Sequence, residues 1–501
     1  MSDIEPFGHQ ESDQRSPVVA VVDSAPSQMS CERLIVFACQ RTDASPAPPE
    51  VVGGLGDVIT KSLVRSGFRG SVGDVLVLDS LGQLPAATVA LVGVGPKDDV
   101  EEALVRDAAI RGVVGADANV VGISLNGLSD RFASVAAEGV MLGHHQFSLA
   151  SASGRLGPPM GAVEIRVPSA QVGATWGDEW RISRILAESV NWVRDLVDLP
   201  SHIATPARMA EEAVHLATEA PIVCDVLTRS RLEERRFGGV LAVGDGGETP
   251  PCVVVLRYEP TGGRAVGLAG KGITFDSGGY HLKSLNEMRE MKADMCGAAA
   301  VMGAVRAAAL CGIQQDVVAV LPFAENLVDR RAFRPSDVVT HYGGKTSEVV
   351  DPDNEGRVVL ADALSYLAEL DPEVMIDVAS LTDAGGLGPD LWAVFATDRN
   401  LAKELLAAGS VSGEPGWELP LWTPYLPQLQ SRIADIANAN STTDSAVLAA
   451  IFLGEFVGTL PWAHIDLGDS GYRGSGAHKQ ASGVGVRTLW SYLRSRAVSR
   501  R

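Results

Sequence analysis

Short apolar runs alternate with helical patterns along most of this chain, and nothing else in the sequence restricts its fold so strongly. In the first half, LIVFAC (34–39) and VLVLDS (75–80) read as strands, and VALVGVG (89–95) as a buried strand ending in a glycine turn. VEEALVRDAAIRGVV (100–114) follows with helical spacing. In the second half, PCVVVLRYEP (251–260), AVGLAGKGITF (265–275), QDVVAVLPFAEN (315–326), EVMIDVASLT (373–382) and WAHIDLGD (462–469) read as strands. MCGAAAVMGAVRAAAL (295–310), dense in small residues, and VVLADALSYLAEL (358–370) read as helices. Strands separated by helices predict an α/β fold with mostly parallel sheets.

At 501 residues the chain exceeds one ordinary core, so two domains are expected. The stretch from Ser151 to Gly177 is loop-rich, and WRISRILAESVNWVRDLVDL (180–199) then reads as a long helix stopped by Pro200. This predicts a smaller N-terminal α/β domain over 31–180. A larger C-terminal α/β domain with a central, mostly parallel sheet would span 181–501. Residues 1–30, rich in Ser, Pro, Asp and Gln, read as a disordered tail. The opening MSDIEPFGHQESDQRS has no basic start and no apolar core, so it does not read as a secretory signal. No run of eighteen apolar residues predicts a membrane span. A cytoplasmic protein is expected. Its cysteines (31, 39, 224, 252, 296 and 311) form no CxxC pair and read as reduced, mostly buried thiols. A formal net charge of -20 disfavours nucleic acid, which needs a basic face.

The chemistry gathers in two stretches. In GKGITFDSGGYHLKSLNEMREMKADMCGAAA (270–300), Lys271 sits at the end of a strand-like run and Asp276 lies five residues on. Lys283 follows a glycine-bearing turn, and Asp294 precedes the small-residue helix. In VVDPDNEGRVVLADAL (349–364), Asp353, Glu355 and Arg357 stand at alternate positions. Extended backbone there would turn all three to one face, just before a helix. Ends of parallel strands are where α/β folds assemble sites. Four carboxylates gathered there would repel one another, and two divalent cations would balance them charge for charge. Oxygen donors suit Mg, Mn or Zn, and a lysine beside such cations can ligate as the neutral amine. Each residue also has a plainer reading. A lone Asp at a strand end caps a helix, and a Lys–Asp pair is a salt bridge. Spacing alone leaves both readings open.

At these residues the chain resembles a known family. GKGITFDSGG (270–279), Lys292-Ala293-Asp294-Met295 and the run from Asp353 to Leu364 are similar to the leucyl aminopeptidase, or cytosol aminopeptidase, family. So are RDLVDLPSHIATP (194–206), RPSDVV (334–339), ELPLW (418–422), ADIAN (434–438), FVGTLPWAHIDLG (456–468) and GVGVRTL (483–489). The resemblance covers about residues 190–490; the N-terminal part shares only general α/β character. It implies an aminopeptidase with two divalent metal ions per subunit, Mn or Zn, acting on peptides with a free N-terminus. Asp276 and Glu355 would bridge the metals. Lys271 and Asp294 would complete the tighter site and Asp353 the more exchangeable one. Lys283 would polarise the scissile carbonyl, and Arg357 would hold a bicarbonate ion as general base. A metal-bridging water or hydroxide would attack the carbonyl. Met291, Ser380, Leu381, Asp383 and Gly468 would line the pocket for the first side chain. A homohexamer is implied as well.

Three departures from the family pattern stand out. The family usually reads N-T-D-A-E-G-R where this chain has Asp351-Pro352-Asp353-Asn354-Glu355-Gly356-Arg357. Asp383 stands in a usual T-L-T-G, and Gly468-Asp469 in a usual A-G. An acid at 383 would narrow or acidify the pocket, tilting preference from leucine toward small or basic residues. Side chains turned to solvent are the alternative. A Cys-Gly type dipeptidase, or a silent structural or DNA-binding homologue, are the rival functions. Asp276-Ser277-Gly278-Gly279 is similar to the nucleophile segment of chymotrypsin-like proteases, but nothing marks a partner histidine, and Ser277 reads as a turn residue. Gly270-Lys271-Gly272 lacks the spacing of a P-loop, and no HExxH occurs. His281 reads as a loop histidine, Cys296 as an inert buried thiol, and Met288 with Met291 as core or pocket wall.

Overall fold

Most of the apolar runs become strands that bury β-branched side chains, whereas VLVLD (75–79) leaves Val75 and Val77 exposed. The computed structural model describes residues 18–40, 62, 65–116, 118–147, 149–150, 155–156, 163–440, 445–474 and 479–499. It divides into two compact units, Met1–Asn191 and Trp192–Arg501. Among the described residues no helix is long and apolar enough to cross a membrane.

The first unit holds a six-stranded sheet. Its strands are β1 (Val18–Val22), β2 (Arg33–Gln40), β3 (Val75–Asp79), β4 (Thr88–Pro96), β5 (Val120–Ser124) and β6 (Glu164–Pro168), in the order β1-β6-β5-β2-β4-β3. Every pairing is parallel except β3 with β4. Helices α1 (Glu102–Val113) and α2 (Ala133–His144) are joined by a buried Arg106–Glu138 ion pair of 2.9 Å. Two sequence expectations need correction here. The tail of 1–30 is not wholly unstructured: VVAVV forms β1 and pairs with β6, its β-branched side chains suiting a pleated surface. Residues 1–17 lie outside the described residues. The loop-rich stretch 151–177 contains β6, which lies between β1 and β5.

The division between units falls inside the long helix α3 (Trp176–Asp198), which ends before Pro200. The second unit is built on a nine-stranded sheet. Its strands are β7 (Val223–Leu227), β8 (Cys252–Tyr258), β9 (Val266–Gly270), β10 (Gly272–Asp276), β11 (Val317–Asn326), β12 (Val374–Ala379), β13 (Trp392–Ala396), β14 (Gly416–Glu418) and β15 (Trp462–Asp466). The order is β14-β13-β15-β12-β9-β11-β8-β7, with β10 also paired to β11. Strands β9, β10, β11, β12 and β15 run parallel, so their carboxyl ends lie on one side. Residues of β9, β11, β12 and β15 are buried throughout, as strands covered on both faces must be. Among the covering helices are α4 (Cys296–Cys311) and α5 (Glu355–Glu369).

Two local features prepare the site. The run 265–275 is two strands, and Lys271 occupies the break between β9 and β10. Its N–H donates to the Val378 carbonyl (3.0 Å) and its carbonyl accepts from Ala298 N–H (2.8 Å), so the break is held from both sides. The second feature overturns the expectation of extended backbone over 353–357. Pro352–Asn354 is a 3₁₀ turn and Glu355 opens α5. Pro352 has its φ preset for the first helical position, and the Asp351 carboxylate accepts the Asp353 N–H at 2.9 Å as a cap.

Candidate metal centre

The parallel strands deliver their ends to one place. Lys271 follows β9, Asp276 ends β10, and Asp294 lies just before α4. Asp353 comes from the 3₁₀ turn and Glu355 from the first position of α5. One oxygen each from Asp276, Asp353 and Glu355 lie within 4.8 Å of one another. Lys271 Nζ is 2.8 Å from Asp294 Oδ2 and 2.9 Å from Glu355 Oε1, and donates to the Ser380 carbonyl at 3.1 Å. Lys283 Nζ is 2.8 Å from Asp276 Oδ2 and also pairs with Asp353. All five expected ligands and Lys283 thus form one connected cluster. Asp294 reaches it through the lysine it shares with Glu355.

Two glycines make this proximity possible. A Cβ on Gly356 would lie 2.4 Å from Lys271 Cε, so only glycine lets the lysine cross the start of α5. Gly278 has φ +83°, and a Cβ there would sit 2.2 Å from the His281 carbonyl and 2.9 Å from Asp353 Oδ1.

The electrostatics are those of crowded acids. Burial, then the charges of Asp276 and Glu355, push the Asp353 carboxyl up to about 7 against the pull of Lys283. Burial also raises Asp294 and Glu355, and neighbouring carboxylates add to it. Burial disfavours the Lys271 ammonium, but Asp294, Glu355 and Asp276 outweigh it and hold the group above its ordinary range. Lys283 follows the same pattern, with Asp276 the leading acid. Four carboxylates face two ammonium groups. That deficit of positive charge, among hard oxygen donors, suits divalent cations.

The remaining expected residues are placed as follows. Arg357 is buried on the first turn of α5, and its Nη1 donates to the Asn438 carbonyl at 2.7 Å. Met291 opens the 3₁₀ turn that leads to Asp294. Ser380 Oγ donates to Asp294 Oδ1 at 2.8 Å. The N–H groups of Leu381 and Gly468 donate to Asp466 Oδ1 at 3.1 and 3.2 Å. Asp383 is exposed, and its Oδ1 accepts the Gly385 N–H at 3.0 Å as a turn cap. Asp469 is exposed too. This geometry favours solvent-facing acids over an acidified pocket. Ser277 Oγ donates to the Asn326 carbonyl at 2.8 Å, a turn role. A Ser347–His341–Asp362 chain of hydrogen bonds does exist, but all three side chains are sealed from solvent and no substrate could reach them. Burial pushes the Cys296 thiol up to about 11, which keeps it unreactive near neutrality.

Three residues escaped sequence reasoning. Asn326, at the end of β11, donates from Nδ2 to Asp276 Oδ1 (2.8 Å) and to the Pro352 carbonyl (3.1 Å), beneath the acids. Asn438 Oδ1 accepts the N–H groups of Val350 and Asp351 at 2.8 and 3.2 Å. Asp466, fully buried, ties the loops after β12 and β15 together. A polar residue closing an apolar strand was the available signal for Asn326 and Asp466.

Comparison with known proteins decides the family. The model of the catalytic domain of the cytosol aminopeptidase family matches residues 191–490, and that of its N-terminal domain matches 35–149. The chain belongs to the cytosol aminopeptidase family. A probable cytosol aminopeptidase of Syntrophotalea carbinolica is 36% identical over 497 residues, covering 95% of this chain and 99% of the relative. One from Micrococcus luteus is 37% identical over 485 residues, covering 91% and 93%. Among solved structures, the bottromycin maturation enzyme BotP in complex with Mn has 33% identity and a TM-score of 0.80, covering 93% of this chain and 99% of its own. A mutant of tomato leucine aminopeptidase has 29% identity and a TM-score of 0.82, covering 97% and 98%. As a member of this family the chain is a metal-dependent aminopeptidase, a hydrolase of the metallo-exopeptidase type.

Proposed function

We propose that the cluster holds two divalent cations and removes the first residue of peptides with a free N-terminus. The observation that carries this reading is the convergence of Asp276, Asp353 and Glu355 within 4.8 Å, with a lysine on either side. Asp276 and Glu355 would serve both ions, Lys271 and Asp294 the inner one, and Asp353 the outer one. Bound there, the cations would lower the pKa of water and polarise the peptide carbonyl. Lys271 would serve as a ligand in its neutral amine form, which a neighbouring cation would favour. Lys283 steadies the negative charge that grows on the carbonyl oxygen. Arg357, whose planar fork suits a planar oxyanion, would hold a bicarbonate ion serving as general base. Met291, Ser380, Leu381 and Gly468 surround the first side chain, with Asp383 on the adjoining turn facing solvent. Requiring the substrate's free amine at the cations limits cleavage to one residue.

Manganese is the first metal to test, because a similar protein binds it; zinc is the second. The proposal extends to a cytoplasmic homohexamer. No quoted relative is described as a dipeptidase or a DNA-binding protein. Metal analysis with reconstitution of activity tests the core of it. Asp353→Ala and Lys283→Ala should each lose most activity, and unchanged turnover in both would overturn the assignment.

A further inference from the structure

We infer that His281 and Asp351 form a clasp across the mouth of the centre, positioning Lys283 and Asp353 relative to one another. The inference rests on the two-metal reading above.

Two arms meet at this mouth. One is the turn Ser277–Lys283, closed by His281 N–H to the Gly278 carbonyl (3.1 Å) and Lys283 N–H to the Ser277 carbonyl (3.0 Å). It brings Lys283 inward while the His281 side chain stays 67% exposed. The other arm is Asp351–Asn354, which carries Asp353. Asn438 anchors that arm, accepting the Asp351 N–H at 3.2 Å and donating to the Asp351 carbonyl at 2.7 Å. At their exposed side the arms meet at Asp351 Oδ1. Asp351 Oδ1 accepts the Asp353 N–H at 2.9 Å and the His281 Nδ1–H at 2.8 Å. A single carboxylate oxygen therefore links the backbone of the outer-site ligand to the residue two before Lys283.

The arrangement matters because the arms have a second link, the Lys283–Asp353 ion pair, deeper in. Lys283 must leave that pair to reach a substrate carbonyl. The clasp is then the bond that keeps the arms in register. Its charge is a feature of this chain, since the Asn usual at this position in the family pattern offers an acceptor oxygen without the charge. With Asp the acceptor is a carboxylate, so the bond from the imidazole N–H is charge-assisted.

Metal-stripped full-length enzyme titrated with Mn²⁺, alongside kcat and KM on leucine p-nitroanilide, tests this in wild type, His281→Ala, Asp351→Asn and the double variant. Asp351→Asn keeps an acceptor oxygen for the Asp353 N–H and removes its charge, so the cap survives and the bond to His281 is weakened rather than lost. His281→Ala should weaken the outer class of Mn²⁺ sites and lower kcat, each about two- to fivefold, the scale of a partly exposed pair. The inner class should stay within about twofold, and the double variant should be no worse than His281→Ala, as for coupled residues. Unaltered outer-site affinity, equal weakening of both classes, multiplying effects in the double variant, or a change confined to KM would each overturn the clasp. A wild type with one class of site would instead overturn the two-metal reading beneath it.

Discussion

The two halves of the metal centre differ in what holds them. Around Lys271 the support is regular structure: a strand break, the end of a neighbouring strand and the starts of α4 and α5. The side chains of Lys271 and Asp294 are 5% and 6% exposed. Around Lys283 the support is loop, and Lys283 and Asp353 are 15% and 26% exposed. Groups on buried elements open only with the fold, whereas loop groups rearrange locally. On the proposed two-metal reading, the inner half would be a fixed seat for a tightly held ion, and the outer half the place where ions exchange and substrate arrives.

The hardest blow to this contrast falls on the inner seat. Gly356→Ala drives a methyl into the Lys271 side chain, so it should displace the lysine and lower activity by about 100-fold or more, with the inner ion lost. Metal content and kcat measured together check this, and a variant with full inner-site metal would break the contrast. Lys283→Ala comes next. Loss of one oxyanion-stabilising group should reduce kcat about 100- to 1,000-fold with both metal sites still filled. Metal loss in that variant would mean Lys283 supports the site rather than the reaction.

A pH titration sharpens the comparison from another side. Asp353, raised to about 7, must release its proton to ligate. Apparent outer-site affinity should climb about tenfold per pH unit below 7 and level off above it. Stability of the metal-free protein should move the opposite way. The folded pKa lies above the unfolded one, so the folded state binds more protons between about 4 and 7. The contribution is present below that window and is lost as pH rises through it. Thermal melts of metal-free protein from pH 4 to 8 read this directly. An Asp353→Asn variant should flatten the trend.

The smallest effect is expected at the pocket. Asp383 is exposed and caps its own turn, so Asp383→Ala should change the leucine-to-arginine rate ratio by less than about threefold, in keeping with an exposed site. A larger swing toward leucine would revive the acidified pocket.

How much of this was legible in the sequence follows the same division. The central strands announced themselves because residues covered on both faces are apolar almost without interruption. The site residues stood out because lysines and acids at the ends of such runs are conspicuous. The backbone carrying Asp353 and Glu355 was misread. Alternate spacing suggested extended chain, and the Pro352 turn with its Asp351 cap acts too locally to show in a polar pattern. β6 was missed for a related reason: EIRVP is short, charged and set in a glycine-rich stretch. Asn326 and Asn438 act through hydrogen bonds to residues 26 to 88 positions away, which no local pattern encodes.

On the proposed reading, two cations sit in unequal halves of one carboxylate cluster. Calorimetric titration of the metal-free enzyme with Mn²⁺, in wild type and Asp353→Ala, tests it most directly. Wild type should bind two equivalents per subunit in two affinity classes. Asp353→Ala should keep only the tighter equivalent and lose most of its activity. One equivalent in wild type, or a second equivalent undisturbed in Asp353→Ala, would contradict the account.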